Sequence, residues 1–269
     1  KPAEEAPAET APTETKPAEA APGEDTPKET APTETKPKEE APDETSITYT
    51  AGERPSIIRQ EAKQAVLTYN AQHDRVRMQY AVNDSIRSTH YYLSGNYEMK
   101  KTLADMKEIL YLGGGYYEAP AVYVKEGQKT DIYFIHRDYL GSILQLADRK
   151  GNLVEENSFD AWGCRRNPAT QQPYAEGKAP ELLLGRGFTG HEHLSFFGLV
   201  NMNARLYDPL LGRFLSPDPY VQFLDYTQAF NRYSYCMNSP LCYVDENGEI
   251  LGWIIGAAII GGIVNVATH

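Results

Sequence analysis

Cysteine is scarce: Cys164, Cys236 and Cys242 are all that 269 residues contain. So few, in an odd number, cannot form a disulfide framework, and the paired spacing of a structural zinc site is missing. They read as ordinary semi-buried thiols and fix no redox compartment. Basic charge is also short. Lys and Arg total 26 against 37 Asp and Glu, for a formal charge of −11. The electrostatic footprint of a nucleic-acid binder is therefore absent, and nucleic acid is not an expected partner. Aromatic residues are missing from positions 1–45 altogether, whereas all 29 (19 Tyr, 8 Phe, 2 Trp) lie beyond. The chain opens on Lys1 rather than Met, which reads as a fragment or a processed chain.

What residues 1–45 do contain is a period. They divide into nine pentads, from Lys1-Pro2-Ala3-Glu4-Glu5 to Ala41-Pro42-Asp43-Glu44-Thr45, each with Pro second and Glu fourth. Proline fixes φ and biases its predecessor away from helix, so a proline every five residues forbids one. With 13 acidic residues against 5 Lys and no apolar surface to bury, the segment is expected to be disordered. It would form an extended acidic linker, either a stalk that spaces the folded part from a surface or a passive low-complexity tract. The remaining residues carry a net charge of only −3 and can build one sizeable core or two small ones.

From residue 46 short β-rich runs alternate with turn signals. Val66–Tyr69 and Arg75–Val82 flank Ala71-Gln72-His73-Asp74. In the second run Val76, Met78, Tyr80 and Val82 alternate with Arg75, Arg77, Gln79 and Ala81, the pattern of a half-buried strand with one wet face. Two hairpins follow, 121–125 with 131–136 and 142–147 with 153–159. A helix is expected over Tyr97–Glu108, ended by Gly113-Gly114-Gly115.

Recognition rests on two stretches. His136-Arg137-Asp138-Tyr139-Leu140-Gly141-Ser142, Asp148-Arg149-Lys150-Gly151 and Phe159-Asp160-Ala161-Trp162-Gly163 resemble the H-x-D-x-L-G-S…D-x-x-G…Y-D-x-x-G run of Rhs/YD-repeat proteins. Tyr69-Asn70 with Arg75-Val76 looks like a degenerate earlier copy. Arg205-Leu206-Tyr207-Asp208-Pro209, Gly212-Arg213-Phe214, Ser216-Pro217-Asp218-Pro219, Asn231-Arg232-Tyr233-Ser234-Tyr235, Asn238-Ser239-Pro240 and Asp245-Glu246-Asn247-Gly248 are similar to the Rhs repeat-associated core domain. The match covers about residues 46–250.

The local physics stands without the resemblance. In Y-D-x-x-G the Asp accepts a bond from the backbone two residues on, Gly supplies a positive-φ exit, and the aromatic can stack on that of a neighbouring unit. The resulting expectation is a mainly β chain: a YD-repeat antiparallel hairpin sheet, part of a β-shell, over 46–180, and the core domain over 181–250. An apolar Gly/Ile-rich helix over 251–269 closes the chain.

The resemblance implies chemistry at Asp218 and Asp245, which match two aspartates of an intramolecular peptidase-like pair, with Arg205 matching an arginine that orients the site. Two carboxyls near one peptide link can share the roles of activating water and protonating the leaving amine. The implied scissile bond joins Ile250 to Leu251. Taken alone, both aspartates are also good turn residues. The chain departs from the family's D-P-x-G-x-L pattern by carrying Glu246 and Ile250. Asp208, Asn231 and Asn238 read as structural. His191-Glu192-His193 could place two ligands on one strand face, but no third ligand stands nearby, so neither a metal nor a cofactor is expected.

Two readings of the whole follow. In the first, the chain is the C-terminal part of a bacterial secreted or cell-surface Rhs protein. Its core would cap a β-shell and cut after Ile250 to release a C-terminal, toxin-like segment. Its partners would be its own C-terminal segment or cargo, an immunity protein or a secretion component, and no external substrate would be turned over. In the second, it is a non-catalytic contact protein with an acidic stalk and a membrane anchor over 251–267, which is uncharged and carries small-xxx-small spacing.

Overall fold

The D-x-x-G turns fold as their residues dictate. The Oδ1 of Asp138 accepts the amides of Leu140 at 3.0 Å and Ser142 at 2.7 Å, and Gly141 sits at φ +87°. Asp148 does the same with Lys150 and Asn152, and Asp160 with Trp162 and Cys164, followed by Gly151 at φ +82° and Gly163 at φ +88°. The degenerate copy uses Asn70, whose Oδ1 takes the amides of Gln72 and Asp74, with His73 at φ +66° in the glycine's place. One carboxylate or amide oxygen thus closes each turn and delivers the next strand in register.

The structure is a computed structural model that describes residues 45–175, 177–221 and 227–249, and the backbone of 251–253. The pentad tail (1–44), Ile250 and residues 254–269 lie outside the described residues. Eleven strands form one antiparallel meander in sequence order. They are β1 Ser46–Tyr49, β2 Pro55–Gln60, β3 Lys63–Tyr69, β4 Arg75–Val82, β5 Ser85–Leu93, β6 Tyr97–Thr102, β7 Met106–Leu112, β8 Ala121–Glu126, β9 Lys129–Arg137, β10 Ile143–Ala147 and β11 Leu153–Glu156. A two-residue pair follows, β12 Ser158–Phe159 with β13 Arg165–Arg166. Next comes a four-stranded sheet of β14 Glu192–Leu194, β15 Leu199–Met202, β16 Arg205–Asp208 and β17 Arg213–Phe214. Finally β18 Tyr243–Asp245 pairs with β19 Leu251–Trp253.

The four-stranded sheet is covered on both faces, so its strands are buried without alternation. Leu199 and Leu206 pack with Ile58, Leu67 and Tyr80 of β2–β4. Val200, Met202 and Tyr207 turn the other way, onto Phe188, Phe214 and Tyr235. The aromatics of the Phe159 and Tyr207 turns do not stack on one another directly; Phe188 stands between them, 6.0 Å from Phe159 in a tilted contact and 6.5 Å from Tyr207, centroid to centroid. Gly163 makes room for that ring. A Cβ there would meet Phe188 Cδ1 at 2.6 Å, on a backbone at φ +88°. Gly163→Ala should therefore cost about 2 kcal/mol in denaturant unfolding, from backbone strain and overpacking together.

Three expectations need correction. Tyr97–Glu108 is not a helix but β6, a turn and β7. Its Lys/Glu/Met/Leu composition favours helix, but Thr102 Oγ1 captures the amides of Ala104 and Asp105, and cross-strand pairing on both sides overrides propensity. Arg75, expected on a wet face, is buried, because a register shift at Tyr69 re-aims the start of β4 and Glu192 awaits it. The expected apolar helix begins as strand, since Leu251–Trp253 is β19. Among the described residues no helix is long and apolar enough to cross a membrane.

Candidate functional site

Arg205 leaves β16 towards two turns. Its Nη2 lies 3.2 Å from Asp218 Oδ2 and 3.1 Å from Asp245 Oδ2. Its Nε donates to the carbonyl of Gly248 and its Nη1 to that of Arg232. Phe214 stacks beneath, 3.6 Å from the guanidinium carbon to the ring centroid. Burial pulls the Arg205 pKa below its ordinary value, against the two carboxylates that favour its charge. One guanidinium nitrogen therefore joins all three residues that the sequence singled out.

Each aspartate divides its labour. Asp218 Oδ1 accepts the amide of Tyr220 at 2.8 Å, closing the Ser-Pro-Asp-Pro bend. Asp245 Oδ1 accepts Gly248 N at 2.8 Å and Glu249 N at 3.1 Å. The other oxygen of each faces Arg205. Turn-capping and a paired-carboxylate site are thus the same structure. Asp218 and Asp245 are only 7% and 2% exposed, and a cavity of about 30 Å³ lies against both, Arg205 and Arg232. That is room for a single small molecule such as water. In the β18–β19 hairpin Asp245 is the direct partner of Leu251, so the backbone just past the expected cut returns alongside the aspartate. Ile250 itself lies outside the described residues.

Sequence reasoning missed the supports. Arg232 donates Nε to Asp218 O at 2.5 Å, while its own carbonyl accepts Asp218 N at 2.8 Å. His191 Nε2 donates to Glu246 O at 3.0 Å, and Asn203 Nδ2 reaches the same oxygen at 3.3 Å. The carbonyl only accepts, so in the neutral ring Nε2 carries the proton and Nδ1 accepts from the Thr189 hydroxyl across 2.8 Å. Burial pushes the His191 pKa down to about 3 and keeps it neutral. Arg232 was visible as part of a motif and His191 only as a candidate ligand, and no local pattern marks Asn203.

The His191-Glu192-His193 triplet forms no shared ligand face. His193 Nε2 accepts Phe188 N at 3.0 Å. Glu192 is the acceptor for Arg75 Nη2 at 2.5 Å, His90 Nδ1 at 3.1 Å and Tyr92 OH at 2.8 Å. His90 Nε2 in turn approaches Glu98 at 3.5 Å, and Glu98 accepts Arg186 Nε at 2.9 Å. This buried chain of charges pins the long sheet to Glu192 at the start of β14 and to Arg186 just before it. Among the described residues, Asp208 and Asn231 cap their own turns and Asn238 bonds Gln228. Of the cysteines, Cys236 is buried, Cys164 half-buried and Cys242 exposed.

Comparison with known proteins places these features in context. Residues 116–241 match the Teneurin YD-shell family. The chain is 27% identical over 195 residues, 71% of its length, to the tRNA3(Ser)-specific nuclease WapA of Bacillus spizizenii, covering 8% of that protein. It is 32% identical over 136 residues, 51% of its length, to the toxin protein Tse5 of Pseudomonas aeruginosa, covering 9% of it. The crystal structure of TcdB2-TccC3 superposes with a TM-score of 0.60 at 15% identity, over 76% of this chain and 10% of that one, a likeness of fold. The chain thus spans a tenth or less of each of these relatives.

Proposed function

This chain is an Rhs/YD-repeat protein, and from that membership we propose that its core cuts its own backbone after Ile250, releasing the segment that begins at Leu251. The observation that carries this is the convergence of Asp218 and Asp245 on one nitrogen of Arg205, with Leu251 returned opposite Asp245. In the proposed step one carboxylate takes a proton from water as the water oxygen bonds to the Ile250 carbonyl carbon. The C–N bond to Leu251 then breaks, and the other carboxyl protonates the departing amine. Arg205 orients both groups and offsets the one negative charge that the pair carries, and the tether makes attack unimolecular.

The similarity to nucleases named WapA and to the toxin Tse5 supports a wider reading. The chain would be the C-terminal part of a bacterial secreted or cell-surface protein. Its strands would contribute to a β-shell around C-terminal cargo, with an immunity protein or a secretion component as further partners.

Intact mass after expression is the test. A product ending at Ile250 is expected from the unaltered chain. Asp218→Asn and Asp245→Asn should each slow its appearance by at least a hundredfold, the scale of losing a general acid or base. An unaltered chain that stays whole while folded would overturn the proposal and leave the non-catalytic surface reading, in which residues 251–267 anchor the chain.

A further inference from the structure

The first hairpin of the chain reaches the far end of it. Arg54 Nη2 pairs with Glu249 Oε1 at 3.1 Å, and Glu249 immediately precedes Ile250. Arg54 is placed by a rigid bend between β1 and β2. Thr50 N donates to Arg54 O at 2.8 Å, Arg54 N donates to Thr50 Oγ1 at 3.1 Å, and Glu53 is held at φ +60°. The bend is wedged against the β3–β4 turn, since a Cβ on Gly52 would lie 2.3 Å from the His73 ring. Tyr49 OH, just before it, donates to Leu215 O of the core at 3.3 Å. Glu249 is fixed on its backbone side by Asp245 Oδ1 and Asn247 Oδ1. Two cavities, of about 690 and 460 Å³, both have Arg54 and Glu249 in their walls, so the pair stands where they meet.

Resting on the self-cleavage reading above, we propose that Arg54 is a positioning residue that licenses the cut. Asp245 and the β18–β19 pairing hold the scissile segment from within the core. The side chain of Glu249, one residue before Ile250, is held by a residue from the opposite end of the folded chain. The chain entering the cut is therefore held at Glu249 only when the β1–β2 hairpin has docked. Cleavage follows closure of the sheet over the core, and an acidic residue directly before Ile250 is a specificity determinant of the reaction.

The test follows the rate of product formation by intact mass in the full chain, with amide hydrogen exchange at Leu251–Trp253 measured in parallel. Arg54→Ala should slow the cut about two- to fivefold, the scale of a partly exposed ion pair. Arg54→Glu should slow it further and raise exchange in the hairpin, Arg54→Lys should retain most of the rate, and Arg54→Glu with Glu249→Arg should restore it. A rate unchanged in Arg54→Glu overturns the inference while leaving Asp218 and Asp245 intact as the reacting pair. If the unaltered chain is not cut at all, the parent reading falls. Exchange then decides the clamp: faster exchange in Arg54→Glu supports the Arg54 contact, and unchanged exchange removes it.

Discussion

Glu98→Ala should destabilise the folded chain by about 3–5 kcal/mol, the cost of stranding a buried charge. Arg186 and Glu98 are each 2% exposed in their side chains. Arg186 donates both Nε and Nη2 to Glu98 Oε1, adds Nη1 to Gly190 O at 3.2 Å, and stacks 3.9 Å over Tyr116. Burial works against the charge on Arg186, and Glu98 more than offsets it, holding the pKa well above its ordinary value. Remove the carboxylate and that guanidinium keeps its charge with no anion in contact. Arg75 and His90, engaged with Glu192, cannot release it. The pair itself need not add stability over an apolar alternative. Glu98→Leu with Arg186→Met should accordingly recover most of the loss in denaturant unfolding. A loss below about 1 kcal/mol for Glu98→Ala, the scale of exposed pairs, would mean that water reaches Arg186 freely.

That network also marks the limit of what the sequence reveals. The turns at Asp138, Asp148, Asp160 and Asn70 were legible because each is closed by bonds spanning two and four residues. Hairpins built on such turns inherit their register. The Arg205, Asp218 and Asp245 triad was legible only through resemblance, since its members meet across 13 to 40 positions and the turns that carry them look ordinary. Glu98 and Arg186 lie 88 residues apart. Glu98 stands in Tyr-Glu-Met-Lys-Lys, where a lone acid among lysines reads as a solvated helix face. The misread helix and the missed ion pair are thus one error. The strand period of β6 points Glu98 inward only because Arg186 is there to meet it.

The same cluster should give the chain a stability maximum near pH 6.5, the ordinary histidine pKa. Burial lowers His191 and His193 to about 3, and their bonds agree, since each presents an unprotonated ring nitrogen to a donor. Unfolded, both would bind protons near 6.5. Between that value and 3 the unfolded chain holds two more protons than the folded one, so stability falls as pH drops. The slope approaches about 1.4 kcal/mol per pH unit for each ring well below 6.5 and is half that at 6.5, so the pair loses about 3 kcal/mol between pH 6.5 and 5. His90 acts on the other side. Burial opposes its charge, but Glu192 and Glu98 outweigh that and raise its pKa, with the Tyr92 ring tilted against it at 4.3 Å and Arg75 and Arg186 held by the same two carboxylates. Its stabilisation is complete below the unfolded pKa and is lost as pH climbs through the folded one. Glu98 is depressed in the native state, with burial opposing the shift and Arg186 and His90 outweighing it; Glu192 is depressed against the same burial, by Arg75 and His90. Their contribution fails only below the ordinary glutamate range, beneath this window. Urea unfolding from pH 5 to 8.5 should therefore trace a dome. His193→Gln should roughly halve its acid slope, and His90→Gln should flatten the alkaline side alone. A profile level from pH 6.5 to 5 would mean that both rings accept protons in the native state, which at His193 would require Nε2 to give up the amide of Phe188.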